Sequence, residues 1–568
     1  MSKDKKNQFR SRIIKYLTST PFIAVILGSL ITYFLPHIFD RYKIDLIKRE
    51  KVASNKRIFY NDFDKNGQSE KIEIISPWNG KTAVIVYTGG KVLGQYNFDG
   101  EFVNIKPVFC ADIDNDQLDE VFIFTWQNNH IRLNCFNPVS KKTLFANKFI
   151  SEYHKINNTV DVGIYPCGFY DVNADGWKEF YFSIVSGFSA SLRNMFALNI
   201  ANDTLYVSPD DCLNTIDPFA IDLDKDGTLE FCGSTQATGN CDSTNSISDF
   251  NSWLTVFNPR LKYKFKPLKI GFNPSTLKVC ALRSTKQNYL VALNLYSGNK
   301  KFPCSIGIYN SKGKRIRQKL FEFSEEWQNA CLISNENNKN KTFFIIKQNG
   351  QIEEWNSQLS IIAEQKIAPV SNTNYYETDI DKGLKKVRAF LLKDGDRLLL
   401  TDKRFKSPLT IDFSGNSCLH YMAAPGPWLK GTELFISGDS FHYYYDYYEN
   451  PLYFFKYLIY AAVYILVFLL LLLIQKAQKY RDEQKYKAEK KIAELQIKSI
   501  TNQLDPHFTL NILNSIGALF QKQDRNKVDY IFGKFSKLLR ETVMDSDKIE
   551  TTLENELEYI RNYLELQS

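Results

Sequence analysis

The sequence predicts a multidomain protein with an all-β domain in the middle, two membrane-spanning helices around it and an all-α segment at the C-terminus. Three observations support this division. The chain has 568 residues, too many for one compact core. Acidic motifs recur at a regular spacing along the middle of the chain, and two uncharged apolar stretches flank that part. Aromatic residues make up 14% of the chain, which favours strands over helices in the middle domain.

The first apolar segment runs from Tyr16 to Phe39 without Lys, Arg, Asp or Glu. It is long enough to cross a bilayer as a helix. A cleaved signal peptide is the alternative, but no small-x-small cleavage site follows the segment. We therefore predict a cytoplasmic N-terminus over residues 1–17 and a transmembrane helix over residues 18–39.

The second apolar segment covers residues 452–474 and carries no charge from Tyr457 onward. Seven Lys or Arg residues follow it by residue 491, whereas residues 442–450 before it are acidic and aromatic. Positively charged flanks stay in the cytoplasm. The C-terminus is therefore predicted to be cytoplasmic, and with two spans the N-terminus is cytoplasmic and the middle domain lies outside.

Charge and cysteine distribution agree with this topology. The net charge is +9, but the basic residues cluster beside the apolar segments, which favours a lipid bilayer over nucleic acid as the partner. All ten cysteines lie between the two segments, as expected for an oxidising exterior with disulfides. The alternative is that Cys110, Cys135, Cys232 and Cys280 are small core residues in strands, and the sequence leaves both interpretations open.

Oxygen-bearing side chains share one spacing in four segments of the middle domain. These are Asp62-x-Asp64-x-Asn66-Gly67-x-x-Glu70, Asp112-x-Asp114-x-Asp116-Gln117-x-x-Glu120, Asp171-x-Asn173-x-Asp175-Gly176-x-x-Glu179 and Asp222-x-Asp224-x-Asp226-Gly227-x-x-Glu230. A fifth, Asp379-x-Asp381-x-Gly383, is degenerate. Hard oxygen ligands around a tight turn suit Ca²⁺. The alternative is a set of Asx turns closed by hydrogen bonds without a metal.

The spacing between these loops indicates the fold. Their starts are 50, 59 and 51 residues apart, and the step of 157 to the fifth is close to three further repeats. A period near 50 with several short strands predicts a β-propeller, here over residues 51–448. We expect seven blades, with six or eight as alternatives. The loops resemble the FG-GAP repeats of integrin-like propellers, and this resemblance implies calcium held at positions 1, 3, 5 and 9.

The C-terminal segment contains one compact motif. It consists of Gln503, Pro506, His507, Phe508, Asn511, Leu513, Asn514 and Ile516. At about 100° per residue, His507, Asn511 and Asn514 fall on one arc of a helix. The opposite side is predicted to pack through Leu504, Phe508, Ile512, Leu513, Ile516, Leu519 and Phe520. The imidazole therefore lies on a polar stripe and not in a core.

The next apolar stripe predicts the partner of this helix. It comprises Val528, Ile531, Phe532, Phe535, Leu538, Leu539 and Val543. The two helices would form an antiparallel hairpin, and two hairpins from two chains would form a four-helix bundle. A homodimer is therefore expected.

The motif resembles that of sensor histidine kinases of the LytS/YehU class. The resemblance implies a two-component system in a bacterial cytoplasmic membrane, in which His507 is phosphorylated from Mg²⁺-ATP and passes the phosphoryl group to an aspartate of a response regulator. It implies that Asn511 and Asn514 orient the ring, and that Arg540 contacts the ATP domain or holds the bundle. A neutral imidazole is nucleophilic near neutral pH, since its ordinary pKa is about 6.5.

The remaining cytoplasmic segments complete the prediction. Residues 475–495 are expected to form a signalling helix with a weak apolar seam at Ala488, Ile492 and Leu495, and a solvated linker is the alternative. Residues 496–545 are expected to form the phosphoacceptor domain, and residues 546–568 a last helix with Thr551-x-x-Glu554 as its capping box. No nucleotide-binding motif follows His507, so we expect the ATP-binding domain to lie outside this sequence. A non-catalytic propeller receptor or adhesin is the alternative function, and an outer glycan-acting enzyme a more remote one. The sequence does not identify the sensed ligand.

Overall fold

The computed structural model describes residues 19–34, 39–53, 55–76, 81–103, 108–153, 161–187, 192–241, 246–296, 302–335, 341–371, 375–379, 386–503, 506–545 and 552–567. The chain divides into two compact units. One is Phe39–Tyr453, and the other consists of Met1–Ile38 together with Phe454–Ser568. The two units are described separately below.

The first unit is all-β. Its first strands are β1 (Tyr42–Lys51), β2 (Lys56–Asn61), β3 (Glu70–Ile75), β4 (Lys81–Thr88), β5 (Lys91–Asp99), β6 (Glu101–Phe102), β7 (Val108–Ala111), β8 (Glu120–Gln127), β9 (His130–Phe136), β10 (Thr143–Glu152), β11 (Val162–Tyr170), β12 (Glu179–Ser186), β13 (Asn194–Asn199), β14 (Thr204–Val207), β15 (Thr215–Ile221), β16 (Glu230–Ala237), β17 (Asn251–Leu254), β18 (Val256–Phe257) and β19 (Leu268–Phe272).

The second half of this unit continues in the same way. Its strands are β20 (Ser275–Leu282), β21 (Tyr289–Leu295), β22 (Cys304–Tyr309), β23 (Arg315–Phe321), β24 (Cys331–Ser334), β25 (Thr342–Ile346), β26 (Gln351–Asn356), β27 (Ile361–Lys366), β28 (Tyr376–Asp379), β29 (Lys386–Leu391), β30 (Arg397–Asp402), β31 (Leu409–Asp412), β32 (Leu419–Pro427), β33 (Thr432–Gly438) and β34 (Phe441–Glu449). Two short 3₁₀ turns lie at Glu325–Trp327 and Pro451–Tyr453.

Antiparallel pairing groups these strands into blades that follow one another along the chain. Blades 1 to 3 are β2–β5, β6–β10 and β11–β14, and blades 4 to 7 are β15–β19, β20–β23, β24–β27 and β28–β31. Blades 4 and 5 are joined, because the end of β16 also pairs with β20. The last blade has the order β32, β33, β34 and then β1. First strands of several neighbouring blades contact one another, including β32 of the last blade and β2 of the first, which closes the ring. The middle unit is therefore propeller-like, as the spacing predicted.

The described strands form eight blades, one more than the seven that we expected. The prediction assigned all residues after about 379 to a single last blade. In the structure, β28–β31 already make one blade by Asp412, and β32–β34 make another with only three strands. Its fourth strand is β1, whose residue Tyr42 pairs with Glu449. The propeller therefore begins before residue 51, because the N-terminal strand closes the ring.

The core of each blade is a layer of alternating apolar side chains between neighbouring sheets. Phe122, Phe180 and Phe182 are fully buried where blades 2 and 3 meet, with ring centroids of Phe180 and Phe182 4.8 Å apart. The aromatic content therefore fills the interfaces between blades. Cys135, Cys232 and Cys280 are buried thiols, as the core interpretation predicted.

The blades define two opposite faces. Connections between first and second strands, and between third and fourth, lie at one end. The four acidic loops are first-to-second connections, and backbone bonds such as Asp119 N–H to Phe63 O (2.9 Å) join them around the ring. Ser69 N–H donates to Pro425 O next to the β32–β33 turn, where β34 also ends. We call this end the chain-end face, because Asn450 contacts Asp40 there. The opposite end is the far face.

The second unit is all-α. Its helices are α1 (Thr20–Phe34), α2 (Lys456–Gln503), α3 (Pro506–Gln521), α4 (Arg525–Asp545) and α5 (Leu553–Gln567). Residues Lys456–Lys498 form, among the described residues, the one helix long and apolar enough to cross a membrane. α1 is a shorter apolar helix, and the predicted span of residues 18–39 lies partly outside the described residues.

The boundaries of the second apolar segment differ from the prediction. The helix starts at Lys456 and not at residue 452, because Pro451–Tyr453 form a 3₁₀ turn in which Tyr453 N–H donates to Asn450 O. The helix then continues through residue 503, so the apolar segment and the charged segment after residue 474 form one uninterrupted helix. Ile492 and Leu495 of the predicted seam are exposed in the single chain.

α1 and α2 pack side by side in opposite directions. Ser29 Oγ and Tyr464 OH lie 2.9 Å apart, and Gln475 Nε2 donates to Thr20 Oγ1 at 2.8 Å. Gly28 faces the Tyr464 ring so closely that a Cβ atom would collide with it. A small residue at a helix contact lets two apolar helices approach.

Candidate functional site

The helix that carries His507 is fixed by a small core. α3 buries Phe508 and Ile512 against Phe535 and Leu538 of α4. α5 covers the same core, and its Tyr563 ring stacks on Phe508 at 4.2 Å between centroids. The last helix therefore packs on the hairpin, whereas the sequence suggested only a helix leading onward.

His507 lies on the opposite, solvent-exposed side of α3. Its Nδ1 atom is 3.2 Å from Nδ2 of Asn511, one turn later, and Asn514 is exposed on the same arc. The predicted polar stripe is therefore present. Arg540 is exposed on α4 and forms no hydrogen bond or ion pair with any described residue.

A second apolar stripe on α3 has no cover in the single chain. Leu510, Leu513 and Phe520 are 59%, 48% and 70% exposed. The prediction that Leu513 and Phe520 pack beside Phe508 is wrong for the single chain. Their positions are about 100° or more from Phe508 around the helix, so α4 and α5 cannot reach them.

Charged pairs hold α5 against α4. Lys537 Nζ lies 2.6 Å from Glu558 Oε1, and Lys534 pairs with Glu565. The Lys537 hydrogen bond lowers the pKa of Glu558. Thr552 Oγ1 accepts the N–H of Asn555 (3.4 Å), so the helix is capped one residue later than the sequence suggested; Thr551 lies outside the described residues.

The four acidic loops share one hydrogen-bonded conformation. The carboxylate at position 1 accepts the N–H at position 6, with distances of 2.8 Å for Gly67 to Asp62 and 3.1 Å for Gln117 to Asp112. Position 6 has a positive φ in every loop, 95° at Gly67 and 71° at Gln117. Gln117 therefore keeps the conformation that glycine adopts at lower cost. The remaining residues of the fifth loop, Asp381 and Gly383, lie outside the described residues.

The glutamate at position 9 is buried and closes the loop from inside. Glu120 accepts the N–H of Ile113 through Oε2 (3.1 Å) and the amide of Asn137 through Oε1 (2.8 Å). Glu179 repeats this with Val172 and Asn199. Burial raises the pKa of Glu120 and of Glu179. The sequence missed this anchor, although an asparagine 17 or 20 residues after the glutamate marks it in blades 2 and 3.

Lysine side chains enter two of the loops. Lys65 Nζ lies 2.8 Å from Asp112 Oδ2 in the second loop, and Lys264 contacts both Asp224 (2.8 Å) and Glu230 in the fourth. These lysines place a positive charge where a metal ion would otherwise balance the carboxylates. Neither contact was predicted from the sequence, because Lys264 is 34 residues from Glu230.

The oxygen atoms nevertheless cluster closely enough to surround a cation in three loops. Carboxylate atoms of Asp62, Asp64 and Glu70 lie within 4.8 Å of one another. The sets Asp112, Asp114, Asp116 and Asp222, Asp224, Glu230 meet the same limit. The residues therefore fit a hard divalent cation such as Ca²⁺, and the first loop does so without a lysine contact. In the third loop, Asp171, Asn173 and Asp175 are tied together by hydrogen bonds.

A buried ion pair lies on the far face between blades 3 and 4. Arg193 Nη1 donates to Asp249 Oδ2 at 2.8 Å, and the two side chains are 1% and 0% exposed. Burial raises the pKa of Asp249, but bonds from Thr238 and Arg193 outweigh it and the net pKa is lowered. The disulfide Cys212–Cys241 lies beside this pair, since Arg193 Nη1 also donates to Cys212 O at 3.4 Å. The ten cysteines thus include one disulfide, a pairing that the sequence left open.

Comparisons with known proteins fall on the two units separately. Residues 495–568 match the family described as Histidine kinase. Similar solved structures include the Dos1 propeller (10% identity, 73% of this chain and 95% of that chain, TM-score 0.37) and BamB from Moraxella catarrhalis (12% identity, 71% and 98%, TM-score 0.36). The propeller assignment rests on the strand pairing and not on these scores. No curated protein shows a significant match.

Proposed function

We propose that this chain is a membrane sensor histidine kinase of a two-component system, with a propeller that receives the signal and His507 as the phosphate acceptor. The observation that carries the proposal is the position of His507. It is an exposed imidazole on the polar side of a helix whose other side is buried, within the segment that matches the histidine kinase family. A histidine retained for packing would lie among Phe508 and Ile512.

Asn511 supports a nucleophilic role for the ring. Turning the Asn511 amide by about 180° exchanges its Oδ1 and Nδ2 atoms. Oδ1 then takes the position 3.2 Å from Nδ1 of His507. The amide oxygen then accepts the Nδ1 proton, and the lone pair is left on Nε2. Nε2 can attack the γ-phosphorus of Mg²⁺-ATP while ADP leaves, and the phosphoryl group later passes to a response-regulator aspartate. Asn514 remains a candidate orienting residue, and Arg540 remains a candidate for contacting the ATP domain or holding the bundle.

The uncovered stripe of α3 supports a homodimer. Leu510, Leu513 and Phe520 are exposed together, and a second hairpin would bury them in a four-helix bundle. In such a bundle the Phe508 core would stay within each chain, and the exposed stripe would face the partner chain.

Two features support a two-pass protein with the propeller outside and both termini in the cytoplasm. The α1–α2 contact through Gly28 and Tyr464 is an antiparallel pair of apolar helices. The disulfide Cys212–Cys241 is favoured outside the cytoplasm. A bacterial cytoplasmic membrane fits both.

Calcium is proposed for the acidic loops that contain no lysine contact. In the first loop Asp62, Asp64, Asn66 and Glu70 would supply oxygen ligands, and the ion would rigidify the turn. The second and fourth loops are neutralised in part by Lys65 and Lys264.

The test of the proposed function is phosphorylation of the natural protein in membranes. We expect acid-labile phosphate from labelled ATP to appear on His507 and to be lost in His507→Gln. His420→Gln, a substitution in the propeller, serves as the matched control and should leave labelling unchanged. Undiminished phosphorylation of His507→Gln would exclude this residue as the acceptor.

A further inference from the structure

The chain-end face of blades 5 to 7 carries a sector of exposed cations. The connections at this end contribute Lys286 (β20–β21), Lys312 and Lys314 (β22–β23), Lys341 (before β25), and Arg404 and Lys406 (β30–β31). We call these six residues the basic sector. Adjacent blades meet there, because Ser284, Lys341 and Ser357 line one small cavity.

None of the six side chains forms a salt bridge with a carboxylate of the part of the chain that the structure describes. All six are exposed. Asp402 is the acid next to Arg404 and Lys406 in the sequence. Its carboxylate accepts the backbone N–H groups of Arg404 (2.9 Å) and Lys406 (2.7 Å) and so closes its own turn. Elsewhere on the propeller surface, lysines such as Lys65, Lys264 and Lys430 do pair with carboxylates. The positive charges of the basic sector are therefore available to an external anion.

The far face of the same blades carries charges of both signs. Glu322 and Glu325 are exposed there, but so are Lys366 and Lys393, and Asp394 pairs with Arg397. The acidic loops lie on the chain-end face but in blades 1 to 4, so the basic sector occupies only one side of that face. Positive and negative charge are thus segregated around the ring on the chain-end face.

The chain leaves the propeller on the face that carries the basic sector. Asp40 and Asn450 lie on the chain-end face, and only two residues separate Tyr453 from Lys456, where the apolar helix begins. Three peptide steps span at most about 10 Å. The chain-end face is therefore joined to the candidate membrane span by a very short segment.

We propose that the basic sector docks on anionic phospholipid headgroups of the leaflet next to the propeller. Lysines and arginines near an anionic surface attract it within a Debye length. Docking would fix the tilt of the propeller relative to the bilayer, so that lipid charge contributes to signalling. This inference rests on the membrane anchoring in the proposed function but not on phosphorylation of His507.

The test is lysine acylation of the full chain in nanodiscs, read by mass spectrometry. In discs with phosphatidylglycerol, we expect Lys286, Lys312, Lys314, Lys341 and Lys406 to react about threefold more slowly than in phosphatidylcholine discs. About 0.5 M NaCl should remove the difference, because it screens the charges. Lys366 and Lys393, exposed on the far side, are internal controls and should react equally in both lipids.

A charge-reversal variant separates docking from unrelated effects. The triple substitution Lys312→Glu, Lys314→Glu and Lys406→Glu should abolish the lipid-dependent protection of Lys286 and Lys341. Equal acylation of the sector in both lipids, or protection of Lys366 and Lys393 to the same extent, would overturn the proposal. Because His507→Gln should show normal protection, a failure of the kinase proposal and a failure of docking give different results.

Discussion

Nδ2 of Asn511 lies 3.2 Å from Nδ1 of His507, one turn further along α3. Both residues are exposed, while Phe508 and Ile512, which follow them directly in the chain, are buried. The register of one helix thus presents the imidazole to solvent and supplies it with a hydrogen-bond partner.

Asn511 should act by orienting the ring. We expect Asn511→Ala to slow phosphorylation of His507 by about 10- to 100-fold, because the tautomer with the lone pair on Nε2 is no longer favoured. Asn511→Asp should retain most of the rate, since a carboxylate also accepts the Nδ1 proton. Initial rates of phosphate incorporation measure the effect of each substitution. Circular dichroism checks that the Asn511→Ala variant keeps its secondary structure. Equal rates for the Ala and Asp variants would contradict the orienting role.

The exposed stripe of α3 should determine the oligomeric state. We expect Leu513→Glu and Phe520→Glu to convert a dimer into a monomer, because a carboxylate in the bundle core costs several kcal/mol. Light scattering of the full chain in detergent measures the mass. Ala518→Glu, on the arc of His507, is the matched control and should remain dimeric. A dimer that survives both stripe substitutions would place the interface elsewhere.

Calcium removal should destabilise the propeller if the first loop binds the ion. All seven tryptophans lie between residues 78 and 428, so tryptophan fluorescence follows this unit alone. We expect EGTA to lower its melting temperature by several degrees in the natural protein, since binding only to the folded state stabilises it. The double variant Asp62→Asn, Asp64→Asn should no longer respond, whereas Asp224→Asn should still respond, because Lys264 already serves that loop. An unchanged melting temperature with EGTA would exclude a stabilising ion.

The buried pair Arg193–Asp249 should be costly to break. We expect Asp249→Asn to lower the free energy of unfolding by about 3 to 5 kcal/mol, because Arg193 would remain buried without its counter-charge. Lys430→Met, which breaks the exposed pair with Asp45, should change stability far less. Tryptophan-monitored unfolding in denaturant measures both. Similar effects of the two substitutions would contradict the importance of burial.

His442 should make the propeller sensitive to acid. Burial lowers the pKa of His442 to about 4, and its Nδ1 has no partner among the described residues. The unfolded chain therefore binds a proton between pH 6.5 and 4 that the folded chain does not, so stability falls as pH decreases through that window, by up to about 3 kcal/mol. The stability difference between the natural protein and His442→Gln should shrink over this range and level off below pH 4. A difference independent of pH would contradict the assignment.

The acidic loops show which features of the fold local residue spacing can predict. Their oxygen positions, their recurrence and the turn at position 6 follow from short stretches such as Asp62 to Glu70, so the repeat and the propeller were predictable. The number of blades was not. The last blade takes its fourth strand from Tyr42–Lys51, nearly 400 residues away, and no local period records such a pairing. The contacts of Lys264 and of Arg193 with acids in other segments were missed for the same reason.

The phosphoacceptor segment likewise has features that its sequence determined and features that only the tertiary structure decided. Its sequence determined that His507, Asn511 and Asn514 share a polar arc, because helical periodicity depends only on residue spacing. Only the tertiary structure decided which apolar residues on the other arcs are covered. Phe508 and Ile512 meet α4 and α5, while Leu513 and Phe520 remain exposed. Burial depends on where neighbouring helices pack, and that is settled by contacts between segments distant in the chain.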